Sequence, residues 1–291
     1  MPDLTNPRAE RVKAVKALAG RSARERHGRF LVEGPQAARE AVREPDPRVS
    51  DLYVTHESAE RYAEIVADAV RVGVRVHTAS AEVLEAMSAD AQHVLAVAQT
   101  RVRRLGDVLA GAPRLLAVLS HVRDPGNAGT VIRAADAAGA DAVVLTSGSV
   151  DLHNPKVVRS TAGSLFHLPV VTGPDLAEAV EGMRSAGLTV LAADGRGTHD
   201  LDDLLDHAEA LRSPRVGNAP DARHAGLPDL GAATAWLFGN EAWGLADADL
   251  ALADAVVRVP IRGRAESLNL ATAAAVCLYA SSRAQRPAAR S

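Results

Sequence analysis

Six short apolar runs recur between residues 114 and 260, and they limit what this chain can fold into. They are RLLAVLS (114–120), DAVVLT (141–146), LPVV (168–171), LTVLAA (188–193), TAWLFG (234–239) and AVVRVP (255–260). Segments with helical spacing, such as TVIRAADAAGA and PDLAEAVEGMRSAG, lie between them. Strands alternating with helices predict an α/β fold: a mostly parallel sheet with helices on both faces. No internal repeat is evident.

A smaller α/β pattern precedes this one. FLVEG (30–34), DLYVT (51–55), VRVHTA (74–79) and VLAVAQ (94–99) read as strands, and AERYAEIVADAVRVG (59–73) reads as one amphipathic helix. QTRVRRLGDVLAGAPR, with its charge, Gly and Pro, divides the halves. The expected organisation is a domain over 1–100, a linker over 101–112 and a second domain over 113–291. A length of 291 residues accommodates two cores. Residues 198–231 form a long polar insertion expected to be a surface loop. Its His199, His207 and His224 lack metal-ligand spacing, so no metal is expected.

At 47% hydrophobic and 24% charged residues, the chain is an ordinary globular protein, not a disordered or disulfide-built one. Its one cysteine, Cys277, cannot form an intrachain bridge, which fits a reducing compartment. It lies in LNLATAAAVCLYA, which favours a small core residue over a nucleophile. That run is too short to span a bilayer, and the N-terminus has no apolar signal region. A cytoplasmic protein is expected.

The net charge of −3 is unevenly spread. Residues 1–29 hold eight Lys and Arg against three acids, a net of +5, which leaves −8 for the rest. A basic segment on an acidic body suits a localised anionic partner, with nucleic acid first, although a solvated basic helix would read the same way. Aromatic residues are only 3%, so a broad base-stacking sheet is not expected.

In parallel sheets, ligands bind beyond the carboxyl ends of the strands. The segments that follow the apolar runs are HVRDPGNAGTVIRAAD, DGRGT, NEAWGL and IRGRAESLNLAT. They concentrate Asn127, Arg133, Asp194, Asn240, Glu241, Ser267 and Asn269 among glycines. GNAG lacks the full G-x-G-x-x-G of a dinucleotide loop, which speaks against a Rossmann oxidoreductase. Taken alone, Arg133 could be a surface helix residue. Trp243 could stack on a base or pack. Ser267 could cap the helix that follows, with Asn269 inside its first turn.

Three of these segments together resemble the signature motifs of the SpoU (TrmH-type) branch of the SPOUT class, RNA 2′-O-ribose methyltransferases that use S-adenosylmethionine. The first matches at Asn127, Gly129, Arg133 and Ala134. The second matches at Gly239, Asn240, Glu241, Gly244 and Leu245, and the third at Pro260, Ser267, Leu268 and Asn269. The resemblance covers about residues 113–285. The N-terminal NPRAERVKAVKALAGRSARERHGRFLVEG resembles the family's L30e-like RNA substrate-binding domain, with His93 standing where the family often has Gly.

The resemblance implies a C-terminal trefoil knot and a homodimer. It implies catalytic roles for Arg133, Asn127, Glu241, Ser267 and Asn269, and cofactor contacts near Ala193, Gly239, Val259, Ile261 and Leu268. Arg21, Arg24, Arg26, Arg29 and Arg159 would contact RNA. The implied substrate is structured RNA, with 23S ribosomal RNA favoured over tRNA. A non-catalytic RNA-binding protein of the same fold is the further alternative.

Overall fold

A computed structural model describes residues 3–46, 48–212 and 226–286. The chain divides into two compact units. The first comprises residues 1–102 together with 151–167, and the second comprises 103–150 together with 168–291.

The first unit is built on a four-stranded sheet. Its strands are β1 (Arg29–Glu33), β2 (Val49–Val54), β3 (Arg75–Thr78) and β4 (Val94–Gln99), in the order β1-β4-β2-β3. β4 is antiparallel to β1 and β2, and β3 is parallel to β2. Its helices are α1 (Glu10–Ala17), α2 (Arg21–His27), α3 (Pro35–Arg43), α4 (His56–Arg61), α5 (Ala63–Arg71) and α6 (Ala81–Met87). Val12, Val15 and Leu18 meet Leu31, Leu84, Leu95 and Val97 in its core. The single helix expected over 59–73 is two helices. Thr55 caps α4 by accepting from the Ser58 N–H at 3.1 Å, and Tyr62 (φ −118°, ψ 45°) leaves helical geometry before α5 begins.

The second unit carries seven strands, all parallel. They are β5 (Leu115–Leu119), β6 (Ala142–Leu145), β7 (Val170–Thr172), β8 (Thr189–Ala193), β9 (His199–Asp200), β10 (Thr234–Phe238) and β11 (Ala255–Arg258), in the order β7-β6-β5-β10-β8-β11-β9. All five residues of β5 and of β10 are buried, as expected of strands covered on both faces. Its helices are α7 (Leu105–Ala110), α8 (Pro125–Ala138), α10 (Leu176–Ser185), α11 (Leu201–Arg212), α12 (Asp247–Leu250) and α13 (Leu270–Ala284), while α9 (Pro155–Ser160) belongs to the first unit. β7 starts two residues later than LPVV suggests. Pro169 has no N–H for the ladder, although its carbonyl still accepts from Val143 at 3.0 Å.

Two stretches read as irregular contain helices. The stretch 101–112 holds α7, whose Leu105, Val108 and Leu109 pack on the second unit's core. The insertion 198–231 opens with β9 and α11, so its first part is not a loop. Leu201, Leu204 and Ala208 at helical spacing bury one face among the acids that gave the stretch its polar character. Residues 213–225, His224 among them, lie outside the described residues.

Arg24, expected on the RNA side, is 4% exposed. Its guanidinium bonds Asp151 at 2.5 Å and donates to the carbonyls of Leu18 and Ala19 at 3.0 and 2.6 Å. It therefore ties the 151–167 segment to α1 and α2 and does not present its charge to solvent. Arg159 is likewise engaged, on Glu33 and on Asp90 (3.0 Å).

Burial would raise the Asp151 carboxyl, but Arg24 and the His153 N–H outweigh it and hold it below the usual carboxylate range. A carboxyl depressed by folding stabilises above its ordinary value near ~4 and loses that contribution as pH falls. Arg24→Met should cost about 3 kcal/mol at pH 7, with the gap to wild type narrowing toward pH 3 in denaturant titrations. His93 and Gln92 adopt φ of +60° and +49°, the left-handed region that favours glycine. His93→Gly should therefore be neutral or raise stability by up to about 1 kcal/mol in the same titration, despite the larger side chain it removes.

Candidate active site

The carboxyl ends of β8, β10 and β11 open onto one cavity of about 330 Å³. Ala193, Gly239, Val259, Ile261 and Leu268, the five residues expected to contact a cofactor, all line it. So do Asp194, Glu241, Glu266 and Ser267. Apolar walls with a few carboxylates and a hydroxyl suit a mostly apolar ligand held at its polar ends.

The loop after β10 is folded tightly on itself. The Asn240 N–H donates to the Gly244 carbonyl at 3.0 Å, and the Gly244 N–H returns to Asn240 at 2.9 Å. The Asn240 amide, 6% exposed, donates to the His121 carbonyl at 2.7 Å and accepts from the Ala242 N–H at 2.8 Å. A Cβ on Gly239 would fall inside contact distance of the Gly244 carbonyl carbon and 2.5 Å from the Leu245 nitrogen, so this turn excludes any side chain there.

Asp194 and Arg196 clamp the far end of the same loop. Arg196 donates from its main chain and its Nε to Asp194 Oδ1, both at 2.9 Å, and from Nη2 to the Leu245 carbonyl at 2.8 Å. Burial pushes the Asp194 carboxyl up. The Arg196 guanidinium and the N–H groups of Arg196 and Leu245 outweigh that and hold it below the usual range.

At the cavity's lip, Glu241 accepts from the main-chain N–H groups of Arg123 (3.3 Å) and Asp124 (3.1 Å) and from the Asn127 amide (3.3 Å). Asn127 Oδ1 in turn accepts from Asn269 Nδ2 at 3.0 Å. Two helix caps supply this geometry. Asp124 caps α8 through the Asn127 N–H at 2.7 Å, with Pro125 at its first position. Asn269 caps α13 through the N–H groups of Ala271 (2.9 Å) and Thr272 (3.4 Å). Ser267 therefore is not the cap. Asn269 is a cap residue in its own right, so α13 starts two residues later than expected.

Of the five residues assigned catalytic roles by resemblance, Asn127, Glu241 and Asn269 form one hydrogen-bonded cluster, and Ser267 lines the adjoining cavity. Arg133 lies outside both: it is exposed on α8 and makes no ion pair or hydrogen bond among the described residues. The Asp194–Arg196 clamp and the caps at Asp124 and Asn269 were not anticipated. Asp124 immediately before Pro125 was the signal for one of them. Cys277 is fully buried, and burial pushes its thiol up, which removes it as a nucleophile. Among the described residues, no helix is long and apolar enough to cross a membrane.

Fold and site define an α/β protein whose ligand cavity opens at the carboxyl edge of a parallel sheet. Residues 114–279 match the SpoU rRNA methylase family, and residues 9–96 match the MRM3-like substrate binding domain. The chain belongs to the SpoU rRNA methylase family. It is 31% identical over 281 residues to the 23S rRNA (guanosine(2553)-2′-O)-methyltransferase RlmP of Bacillus subtilis, covering 96% of this chain and 98% of that one. It is 31% identical to the 23S rRNA (uridine(2479)-2′-O)-methyltransferase of Streptomyces viridochromogenes, covering 94% and 89%. The AdoMet-bound rRNA methyltransferase of Sinorhizobium meliloti superposes with a TM-score of 0.75 at 27% identity, over 96% of this chain and 97% of that one.

Asn269 does two separable things, capping through Oδ1 and donating to Asn127 through Nδ2. Asn269→Asp should keep the cap and leave thermal unfolding within about 0.5 kcal/mol, while methyl transfer falls at least 10-fold because the donor is gone. Asn269→Ala should also lose about 1 kcal/mol of stability.

Proposed function

We propose that this protein methylates a ribose 2′-hydroxyl in structured RNA, with 23S ribosomal RNA as substrate and S-adenosylmethionine as methyl donor. The observation that carries this reading is an apolar cavity at the strand ends with the Asn127–Glu241–Asn269 cluster at its lip. Ribosomal RNA is favoured over tRNA because both named relatives act on 23S rRNA.

The cavity fits the cofactor. Ala193, Val259, Ile261 and Leu268 provide an apolar slot for a purine, and a Cβ on Gly195 would meet no atom within 4 Å, so the wall there is open. Glu241 and Glu266 supply negative charge at a site that must receive a cation. When bound, S-adenosylmethionine supplies an electrophilic methyl group on a positively charged sulfur.

The chain's own residues then have positioning work to do. In-line attack needs the hydroxyl held at near-attack distance. Glu241, fixed by two main-chain N–H groups, and the amides of Asn127 and Asn269 form a rigid polar lip for the ribose. The Arg133 guanidinium stays charged at any relevant pH, so it is not a base. We assign it to the substrate phosphate, which lies beside the reacting hydroxyl and takes its proton.

In the first unit, Arg21, Arg26 and Arg29 are exposed, and these we assign to RNA phosphates. Arg24 and Arg159 are occupied within the unit and receive no such role. Residues 1–100 would thus serve substrate binding and 113–291 catalysis, except that 151–167, inside the latter range, packs in the first unit. We infer a homodimer, supported by the exposed apolar Ile261, Val276 and Tyr279 of the second unit. A trefoil knot is inferred from membership of the SpoU rRNA methylase family. A cytoplasmic location follows from the substrate.

Purified protein given labelled methyl donor and rRNA should place label on a ribose, located by digestion and mass spectrometry. Preferential labelling of tRNA would move the substrate. Absence of cofactor binding by calorimetry would favour the non-catalytic reading. Arg133→Ala should lose roughly 10²-fold or more in kcat/KM with cofactor affinity retained. Equal activity in that variant would remove its role.

A further inference from the structure

We propose that Trp243, backed by Arg123, is a stacking platform that holds a nucleobase of the RNA substrate beside the reacting ribose. This rests on the RNA-methylating reading of the same site.

The chain has two tryptophans, and their surroundings are opposite. Trp236 is fully buried in β10, and its Nε1 donates to Ser281 Oγ at 2.8 Å. Trp243 is 56% exposed. Covering that exposed ring with a flat partner would remove apolar surface from water.

Its exposure does not come from a loose loop. Trp243 lies between Asn240 and Gly244, whose main chains are joined in both directions at 3.0 and 2.9 Å, and Asn240 is anchored at 2.7 Å to His121. The ring has a partner as well: the Arg123 guanidinium sits 5.3 Å from its centroid. A cation on one face orients the indole and leaves the other for a second planar partner.

Position then identifies that partner. Glu241 and Ala242 line the cofactor cavity, whereas Trp243 does not, so the indole stands outside the cofactor's space. Arg123 links it to the reaction centre, since its own N–H donates to Glu241 at 3.3 Å. A flat ring beside the ribose-holding cluster, with a guanidinium behind it, has the chemistry of an unstacked base and its phosphate. Single-stranded RNA is recognised by that kind of stacking. The named relatives act on a guanosine and on a uridine, and an aromatic platform accepts a purine or a pyrimidine alike.

The test compares full-length wild type, Trp243→Ala and Trp243→Phe with an rRNA fragment that contains the methylated site. Trp243→Ala should raise KM for RNA roughly 10- to 100-fold, leave cofactor affinity by calorimetry within about twofold, and be largely rescued by Phe. Wild-type tryptophan fluorescence should be quenched by the RNA, and this quench should vanish in Trp243→Ala, because Trp236 is buried. The quench reports binding without methyl transfer, so it stands or falls separately from the assigned reaction. An unchanged KM and a quench retained in Trp243→Ala would overturn the proposal. So would dissociation of a dimer in Trp243→Ala, by analytical ultracentrifugation, with RNA binding unmoved, which would make the indole a protein contact.

Discussion

The closed turn after β10 is the constraint on which the rest of the site depends. Gly239 lies so near Gly244 that only glycine fits, and this approach lets the Asn240–Gly244 ladder form. Once closed, the turn puts Glu241 where the N–H groups of Arg123 and Asp124 reach it, and it sets Trp243 outside the cavity. Its far end is held by Arg196, which bridges Asp194 at the end of β8 to the Leu245 carbonyl. Strand ends that are adjacent in the sheet but distant in sequence are thereby locked into one surface. Preorganised polar groups of this kind need no rearrangement when charge develops.

Much of this was legible in the sequence, for identifiable reasons. The strands of the second unit are apolar throughout because helices cover both faces, and such runs stand out against polar neighbours, as at LLAVL and TAWLF. Ala193, Gly239, Val259, Ile261 and Leu268, which the family resemblance implies as cofactor contacts, line one cavity at the strand ends, where ligands of parallel sheets lie. What stayed hidden depended on contacts between distant residues. The burial of Arg24 requires Asp151, which lies 127 residues away, so it read as one more cation in a basic segment. Helix α11 is masked by acids that lie on its solvent side, and the start of α13 is ambiguous because Ser267 and Asn269 are both competent caps.

Charge in this chain is best understood after the internal pairs are removed. Arg24 and Arg159 neutralise Asp151, Glu33 and Asp90 within the first unit, so they contribute structure, not field. Asp51, 4% exposed, gathers Ser50, Arg75 and His77 at 2.8–3.0 Å, and the other ring nitrogen of His77 lies 3.4 Å from Arg11. With His77 donating to Asp51, that nitrogen is left to accept from Arg11. A buried acid therefore orients two exposed guanidinium groups, Arg75 directly and Arg11 through the His77 ring. The count of +5 over residues 1–29 overstates the free positive charge, because it includes Arg24, while the surface that remains is more ordered than a solvated basic helix would be.

The two helix caps explain how so small a cluster can be rigid without being buried. Asp124 and Asn269 each satisfy helix N–H groups that would otherwise lack partners. Each also fixes a residue that the site uses: Asp124 orients Asn127, and Asn269 donates to it directly. The positive ends of α8 and α13 thus meet at the same place, next to the Glu241 carboxylate, and each favours negative charge there. The Glu241 carboxylate is itself satisfied there by the main-chain N–H groups of Arg123 and Asp124. The same caps that start the helices hold the site's polar groups in register, so fold and site are specified by the same few side chains.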